Sequence, residues 1–154
     1  MSLRIDSSKY QSSAGLLAML SLQRDVDTSG LEHSLLHLVK IRVSQINGCA
    51  YCIDMHTKDA RAAEETEQRI YALNAWRETP FFSPRERAAL DWAETVTLLH
   101  QTHVPDEAYE RVRQEFSEAE TVSLTFALIA INGWNRLAVS FRAPVGSYRA
   151  KTAA

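Results

Sequence analysis

The chain has 154 residues, of which 45% are hydrophobic and 23% charged, and 17 basic against 19 acidic side chains give a formal charge of −2. This composition excludes a disordered or fibrous protein and predicts a single globular domain, residues 1–154, that buries roughly 70% of its unfolded surface. The chain lacks the excess of basic residues that is typical of proteins that bind nucleic acid or anionic membranes, so we expect neither partner.

The chain begins with a polar segment, MSLRIDSSKYQSS. The apolar run that follows, residues 16–20, is too short for a signal peptide or a membrane span. We therefore expect a cytoplasmic protein. In that reducing compartment, a lone CxxC pair is more often catalytic or metal-binding than structural.

Helix-start signals and apolar residues with a period near 3.6 predict an all-α fold. A serine followed three residues later by glutamate is a capping box, which satisfies free amides at the start of a helix. The three boxes are Ser29 with Glu32, Ser83 with Glu86 (where Pro84 takes the first helical position), and Ser117 with Glu120. The predicted helices are residues 13–25, 31–47, 50–64, 67–76, a helix after Ser83, residues 105–116, and residues 122–141 behind the Ser117 box.

Two of these helices have the composition of deeply buried helices. The helix at residues 31–47 leaves only a narrow polar stripe, which runs toward the cysteines. This stripe consists of His33, His37, Lys40, Ser44 and Asn47. The helix at residues 122–141 is apolar except near Asn132, Gly133, Asn135 and Arg136. A glycine inside a helix forgoes up to about 1 kcal/mol relative to alanine, so we expect close packing or a polar pocket there.

The only two cysteines lie in the segment NGCAYCIDMH, residues 47–56. Asn47 and Gly48 form a helix-stop signal, which predicts that Cys49 and Cys52 lie in the first turn of a new helix. The free amides and the dipole there stabilise a thiolate. Cys49, Cys52 and His56 share one helix face, so His56 is the natural base for the Cys52 thiol. Cys49 is then placed to attack an oxidised Cys52 and close a disulfide.

Two other interpretations of the cluster stay open. Cysteine is among the most buried residue types, so the pair could serve packing alone. A zinc site built from Cys49, Cys52, His56 and His37 is chemically reasonable, although a second pair of ligands at the usual spacing is missing. Redox chemistry is the interpretation that the spacing favours.

Two stretches resemble a known family, the AhpD-like alkylhydroperoxidases of the carboxymuconolactone decarboxylase superfamily. The first is LLHLVKIRVSQINGCAYCIDMH, residues 35–56, and the second is AINGWNRLAVSFRAPVGSY, residues 130–148. The resemblance implies an AhpD-like all-α fold that assembles into trimers, dimers or hexamers. It also implies a peroxidase in which Cys52 becomes the sulfenic acid and Cys49 resolves it, with a hydroperoxide substrate, an external dithiol reductant and no cofactor.

The chain departs from the family pattern at two positions. The family has a glutamate twelve residues before the first cysteine, part of a proton relay, where this chain has His37. It also often has a histidine just before the second cysteine, where this chain has Tyr51. Because the ordinary pKa of histidine lies near 6.5, we expect His37 to carry the proton instead of the carboxylate.

The rival functions are a carboxymuconolactone-type decarboxylase and a zinc-stabilised or partner-binding oligomer without enzyme activity.

Overall fold

The computed structural model describes residues 2–150 and confirms the all-α prediction; residues 1 and 151–154 of the predicted domain lie outside that range. Within it the α-helices are α1 (Ala14–Asp27), α2 (His33–Ile46), α3 (Ala50–Ala62), α4 (Glu67–Ala72), α5 (Pro84–Thr97), α6 (Leu99–Thr102), α7 (Asp106–Glu115) and α8 (Glu118–Phe141). Two 3₁₀ segments, Ser7–Tyr10 and Leu73–Glu78, complete the regular structure of this range, which contains no strand.

Two of the three predicted capping boxes are confirmed. At the start of α5, the Ser83 hydroxyl accepts from the Glu86 amide at 3.2 Å and the Glu86 carboxylate accepts from the Ser83 amide at 2.8 Å. Pro84 occupies the first helical position, where the backbone N–H would have no helical partner, so proline loses no hydrogen bond there. Ser117 and Glu120 make the same reciprocal pair at the start of α8, at 3.2 Å and 2.8 Å.

The third predicted box, Ser29 with Glu32, is wrong. α2 begins at His33, and its N-cap residue Glu32 makes no capping bond through its side chain. The Ser29 hydroxyl instead donates to the Val26 carbonyl at 2.8 Å, and Glu32 accepts from the Arg85 guanidinium at 2.8 Å. The physical reason is the proximity of α1, whose last carbonyls lack helical partners and compete for the hydroxyl.

The predicted helix at residues 67–76 is shorter than expected. α4 ends at Ala72 and the chain continues as the 3₁₀ segment Leu73–Glu78, with a kink at Ala75. The tighter segment carries Trp76 into the core, where only 4% of the residue is exposed and its indole donates to Glu94 at 2.9 Å. The other predicted helices are confirmed with ends that differ by at most four residues, and the short α6 is an addition.

The core forms on both sides of α2, as its narrow polar face predicts. One cluster lies between α2 and α8 and includes Leu36, Val39, Val43, Leu124, Leu128 and Ile131. A second cluster lies on the opposite side of α2 and includes Leu38, Ile41, Leu73, Trp76 and Leu90. Because α2 is held from both sides, its C-terminal end is a rigid base for the cysteine segment that follows.

α8 combines a buried side with an exposed apolar side. By length and composition alone it could cross a membrane, and in this fold it packs against α1, α2, α3 and α5. Gly133 lies so close to α1 that an added Cβ would meet the Met19 side chain at 2.7 Å, which confirms the expected close packing. Val122, Phe126 and Ile129 share one face of α8, and each remains between 43% and 51% exposed.

Candidate functional site

The junction between α2 and α3 places the two cysteines. Gly48 has a φ of +63°, a left-handed conformation that a side chain would strain, and it turns the chain from the end of α2 into α3. Cys49 is the N-cap of α3, and its amide donates to the Ser44 carbonyl at 2.9 Å. The predicted position of the CxxC pair at the start of a new helix is therefore confirmed.

Cys49 and Cys52 are joined by a disulfide, with their Cα atoms 5.3 Å apart. The Cys49 sulfur accepts from the Cys52 amide at 3.3 Å, one of the free amides at the start of α3. Each cysteine is only 1% exposed. Cys52 borders a large cavity, whereas Cys49 lies behind it and is not part of the cavity wall.

A network of asparagine side chains fastens this junction to α8. The Asn47 amide donates to the side-chain oxygens of both Asn132 and Asn135 at 2.9 Å, and Asn135 donates to the Ser44 hydroxyl at 3.1 Å. Asn135 is 1% exposed, so its amide would be costly to leave without these partners. The polar pocket expected near Asn132 thus exists, and it fixes the turn that precedes Cys49.

The cavity beside Cys52 has a volume of about 990 Å³, opens to solvent, and is lined by α1, α2, α3, α8 and the two terminal segments. Its apolar wall includes Ile5, Leu16, Leu36, Met55, Leu137 and Phe141. The N-terminal segment is held across the end of α8 by a bond from the Arg4 amide to the Phe141 carbonyl at 2.9 Å. The space suits an organic molecule with an apolar body and one polar end.

His56 and His37 border the same cavity as Cys52. His56 is 9% exposed, and its burial, followed by the positive charge of Lys40, lowers its pKa to about 3. Burial also lowers the pKa of His37, which is half-buried. Within residues 2–150, Nδ1 of His37 is buried and has no hydrogen-bond partner. Both imidazoles are neutral near pH 7 in the disulfide form.

Sequence reasoning missed two groups at this site, Asp59 and Tyr148. Oδ2 of Asp59 lies 3.9 Å from Nδ1 of His56, and Oδ1 of Asp59 accepts from the Tyr148 hydroxyl at 2.6 Å. Asp59 continues the face of Cys49, Cys52 and His56 by one more turn, and that spacing was the signal available for it. Tyr148 arrives from the C-terminal tail, for which the sequence carries no comparable signal.

The structure brings together three of the four predicted site residues on one cavity wall, and it places the fourth, Cys49, in the disulfide directly behind. The polar stripe of α2 divides: His33, His37 and Lys40 face the cavity, while Ser44 and Asn47 join the asparagine network. Among residues 2–150, no group of three or more His, Cys, Asp or Glu side chains is arranged to hold a metal ion.

An all-α fold with a CxxC pair opening a helix, and a histidine one turn further on, defines a class of thiol-containing helical proteins. The sequence model of the Carboxymuconolactone decarboxylase family matches residues 16–95, over half of the chain. The chain belongs to this family, and the resemblance to its AhpD-like members is confirmed.

Individual relatives agree with this assignment. YdfG of Bacillus subtilis (strain 168), an uncharacterized protein, is 48% identical over 126 residues, which are 82% of this chain and 86% of that protein. The crystal structure of ATU0492 from Agrobacterium tumefaciens has a TM-score of 0.90 and 44% identity, covering 96% of this chain and 100% of that one. ATU0492 is described as a protein of unknown function and a candidate AhpD-type antioxidant defence protein.

A more distant structure shows the breadth of the fold. The debrominase Bmp8, in complex with 2,3,4-tribromopyrrole, has a TM-score of 0.79 at 17% identity, covering 90% of this chain and 74% of that one. At this identity the likeness concerns the fold alone.

Proposed function

We propose that the protein is a thiol-dependent peroxidase that reduces organic hydroperoxides through Cys52 and Cys49. The observation that carries the proposal is the position of Cys52: it is one half of a disulfide-forming pair, and it borders a large, mostly apolar cavity together with His56 and His37. A buried packing pair would have no need of a cavity. The family membership supports the same chemistry.

The reaction begins with the reduced pair. His56 takes the thiol proton, the Cys52 thiolate attacks the terminal peroxide oxygen, the O–O bond breaks, and the alkoxide leaves as an alcohol once protonated. The Cys49 thiol then attacks the Cys52 sulfenic acid, so that the disulfide forms and water leaves. An external dithiol restores both thiols and is itself oxidised to a disulfide. No cofactor is needed, and the cycle requires a reducing compartment such as the cytoplasm.

The burial of Cys49 determines which sulfur of the disulfide the reductant attacks. Only Cys52 borders the cavity, so the external dithiol attacks the Cys52 sulfur and forms a mixed disulfide there. Cys49 is then the leaving thiolate, and the amide of Cys52 at the start of α3 stabilises its charge. A reductant with a slender thiol-bearing group fits this cavity better than a bulky protein surface does.

One experiment separates this function from its rivals. The purified, reduced protein is treated with one equivalent of an organic hydroperoxide, and free thiols and bound zinc are counted before and after. A peroxidase loses two thiols and gains a disulfide without containing metal. A zinc-stabilised oligomer contains stoichiometric zinc, and a decarboxylase or a packing pair keeps its thiols.

We further propose that the protein is a homo-oligomer that buries the exposed face of α8. Val122, Phe126 and Ile129 form an apolar stripe that a stable monomer has little reason to expose. Light scattering at micromolar concentration should give a multiple of the 17.4 kDa chain mass. Phe126→Lys should shift the mass toward the monomer, whereas Tyr71→Lys, at a 69% exposed aromatic on α4, should not. A monomeric native protein would contradict the proposal.

His37 is proposed to carry protons in place of the family glutamate. Its lowered pKa means that it becomes a proton acceptor below pH 6.5, so its contribution to the rate should rise as pH increases through the range below that value. We expect His37→Ala to lower the rate of Cys52 oxidation by an organic hydroperoxide roughly tenfold near pH 7, and His37→Glu to raise it.

The rates are measured across pH 5 to 8 for the native protein and both variants, with His100→Ala as the control. His100 is exposed on α6 and does not line the cavity, so its removal should leave the rate unchanged. Identical rates for all four proteins at every pH would show that His37 takes no part in proton transfer.

A further inference from the structure

The C-terminal tail contacts Asp59 through the side chain of Tyr148. Its hydroxyl donates to Oδ1 of Asp59 at 2.6 Å, and burial together with this bond raises the pKa of Tyr148 to about 12, so it remains a donor at every physiological pH. The tail is anchored on α3 by two more bonds. Lys58 donates to the Tyr148 carbonyl at 3.2 Å, and the Gly146 amide donates to Asp54 at 3.2 Å.

Asp59 therefore has one oxygen fixed by the tail and the other turned toward His56. The separation of 3.9 Å between Oδ2 of Asp59 and Nδ1 of His56 is longer than a hydrogen bond, and at this range a carboxylate favours the protonated form of an imidazole. The side chain of Asp59 is 24% exposed and that of His56 is 11% exposed, so solvent screens the pair only in part.

We propose that Asp59, held by Tyr148, is a positioning residue that keeps the proton of His56 on Nδ1 and leaves Nε2 free to act as the base for Cys52. The inference rests on the proposed function in taking Cys52 as the reacting thiol. Asp59 provides a carboxylate near His56 in a chain that has His37 at the position of the family glutamate.

The proton transfer is balanced within the three groups. The thiol proton moves from Sγ of Cys52 to Nε2 of His56, and the imidazolium that forms is stabilised by the Asp59 carboxylate facing its Nδ1–H. Burial and the positive charge of Lys40 both disfavour this imidazolium, and the Asp59 carboxylate is placed to offset them. Neutral His37 lies on the same wall and cannot replace a carboxylate as a counter-charge.

Other charged and titratable groups surround the pair, and each belongs to a packed element. They are Asp6 on the N-terminal segment, Asp27 on α1, His33, His37 and Lys40 on α2, Tyr51 and Lys58 on α3, and Tyr148 on the tail. Asp27 accepts from Lys40 at 3.4 Å, so its charge is already matched. The side chains that α8 contributes to the cavity wall are uncharged. Asp59 is the one carboxylate that lies against His56 among the described residues.

The test uses Cys49→Ser as the background, because serine keeps the N-cap of α3 and leaves Cys52 as the only thiol. The second-order rate of alkylation by iodoacetamide is measured from pH 5 to 10, which reports the thiolate and requires no peroxide. Asp59→Asn keeps an oxygen for Tyr148 and removes the charge. Tyr148→Phe keeps the charge and releases the carboxylate. Asp54→Asn is the matched control, since this carboxylate also binds the tail and does not face His56.

We expect Asp59→Asn to move the midpoint of the rate curve upward by about one pH unit, which lowers the rate near pH 7 about tenfold. Tyr148→Phe should produce a smaller shift in the same direction, and Asp54→Asn none. The double variant Asp59→Asn with His56→Gln should match His56→Gln alone, because Asp59 acts through His56.

Simple charge repulsion predicts the opposite sign, since loss of a nearby negative charge favours a thiolate. A midpoint that stays in place or moves downward in Asp59→Asn therefore overturns the proposal. Peroxide consumption is assayed separately on the chain with both cysteines. An upward shift without peroxide consumption would retain Asp59 as the positioning residue and remove the peroxidase, whereas peroxide consumption with an unmoved midpoint would do the reverse.

Discussion

Cys52→Ser should abolish peroxide reduction, and Cys49→Ser should convert the protein into one that stops at a sulfenic acid on Cys52. The structural reason is that Cys52 borders the cavity while Cys49 lies behind it, so a peroxide reaches only one sulfur. In Cys49→Ser the sulfenic acid has no thiol to condense with and accumulates. In Cys52→Ser the remaining thiol is sheltered, and the peroxide consumption should fall to that of the uncatalysed reaction.

The measurement is dimedone labelling after one equivalent of organic hydroperoxide, followed by mass spectrometry of the peptide that carries residues 49–56. Dimedone is needed because Met55 also borders the cavity, and its oxidation adds the same oxygen mass as a sulfenic acid does. The native protein should show a disulfide and little label. Labelling of Cys49 in Cys52→Ser, with none on Cys52 in Cys49→Ser, would reverse the assigned roles.

The part of the site that sequence reasoning found is the part controlled by helix periodicity. Cys49, Cys52 and His56 share a face because their spacing follows the helix, and His37 reaches the same cavity because the polar stripe of α2 points there. Asp59 obeys the same rule, but an acidic residue on a surface helix has many ordinary roles, so spacing alone did not single it out. Tyr148 could not be found in this way, because it lies 89 residues after Asp59 in the sequence and only the tertiary fold brings the two together.

The fold shows the same division between local and distant causes. Ser83 and Ser117 form the predicted boxes because each is the N-cap residue of its helix, whereas the N-cap of α2 is Glu32 and the Ser29 hydroxyl donates to the Val26 carbonyl at the end of α1. The unwinding of the predicted helix at residues 67–76 depends on where Trp76 finds its partner, Glu94, and no local signal specifies that contact.

A second large effect concerns stability in mild acid. His56 is buried as the neutral imidazole with a pKa of about 3, whereas in the unfolded chain its pKa is about 6.5. Between these values the unfolded state binds more protons, so the free energy of unfolding is highest above pH 6.5 and falls as pH decreases toward 3. At about 1.4 kcal/mol per unit, lowering the pH from 7.5 to 5 should remove about 2 kcal/mol through His56 alone. The lowered pKa of His37 adds to this loss in the same direction.

Urea unfolding of the oxidised protein between pH 5 and 7.5, at one fixed protein concentration, measures this loss. The range from pH 5 to 7.5 avoids the titration of carboxylates such as Glu120. Its pKa of about 2 means that its effect on the free energy of unfolding changes only below about pH 4.5. His56→Gln replaces the imidazole with a polar side chain that does not titrate, so most of the pH dependence should disappear. His100→Gln, at an exposed histidine on α6, should retain it. Equal slopes in the native protein and in His56→Gln would mean that His56 is not held neutral by burial, and the account of it as an uncharged base awaiting the Cys52 proton would be wrong.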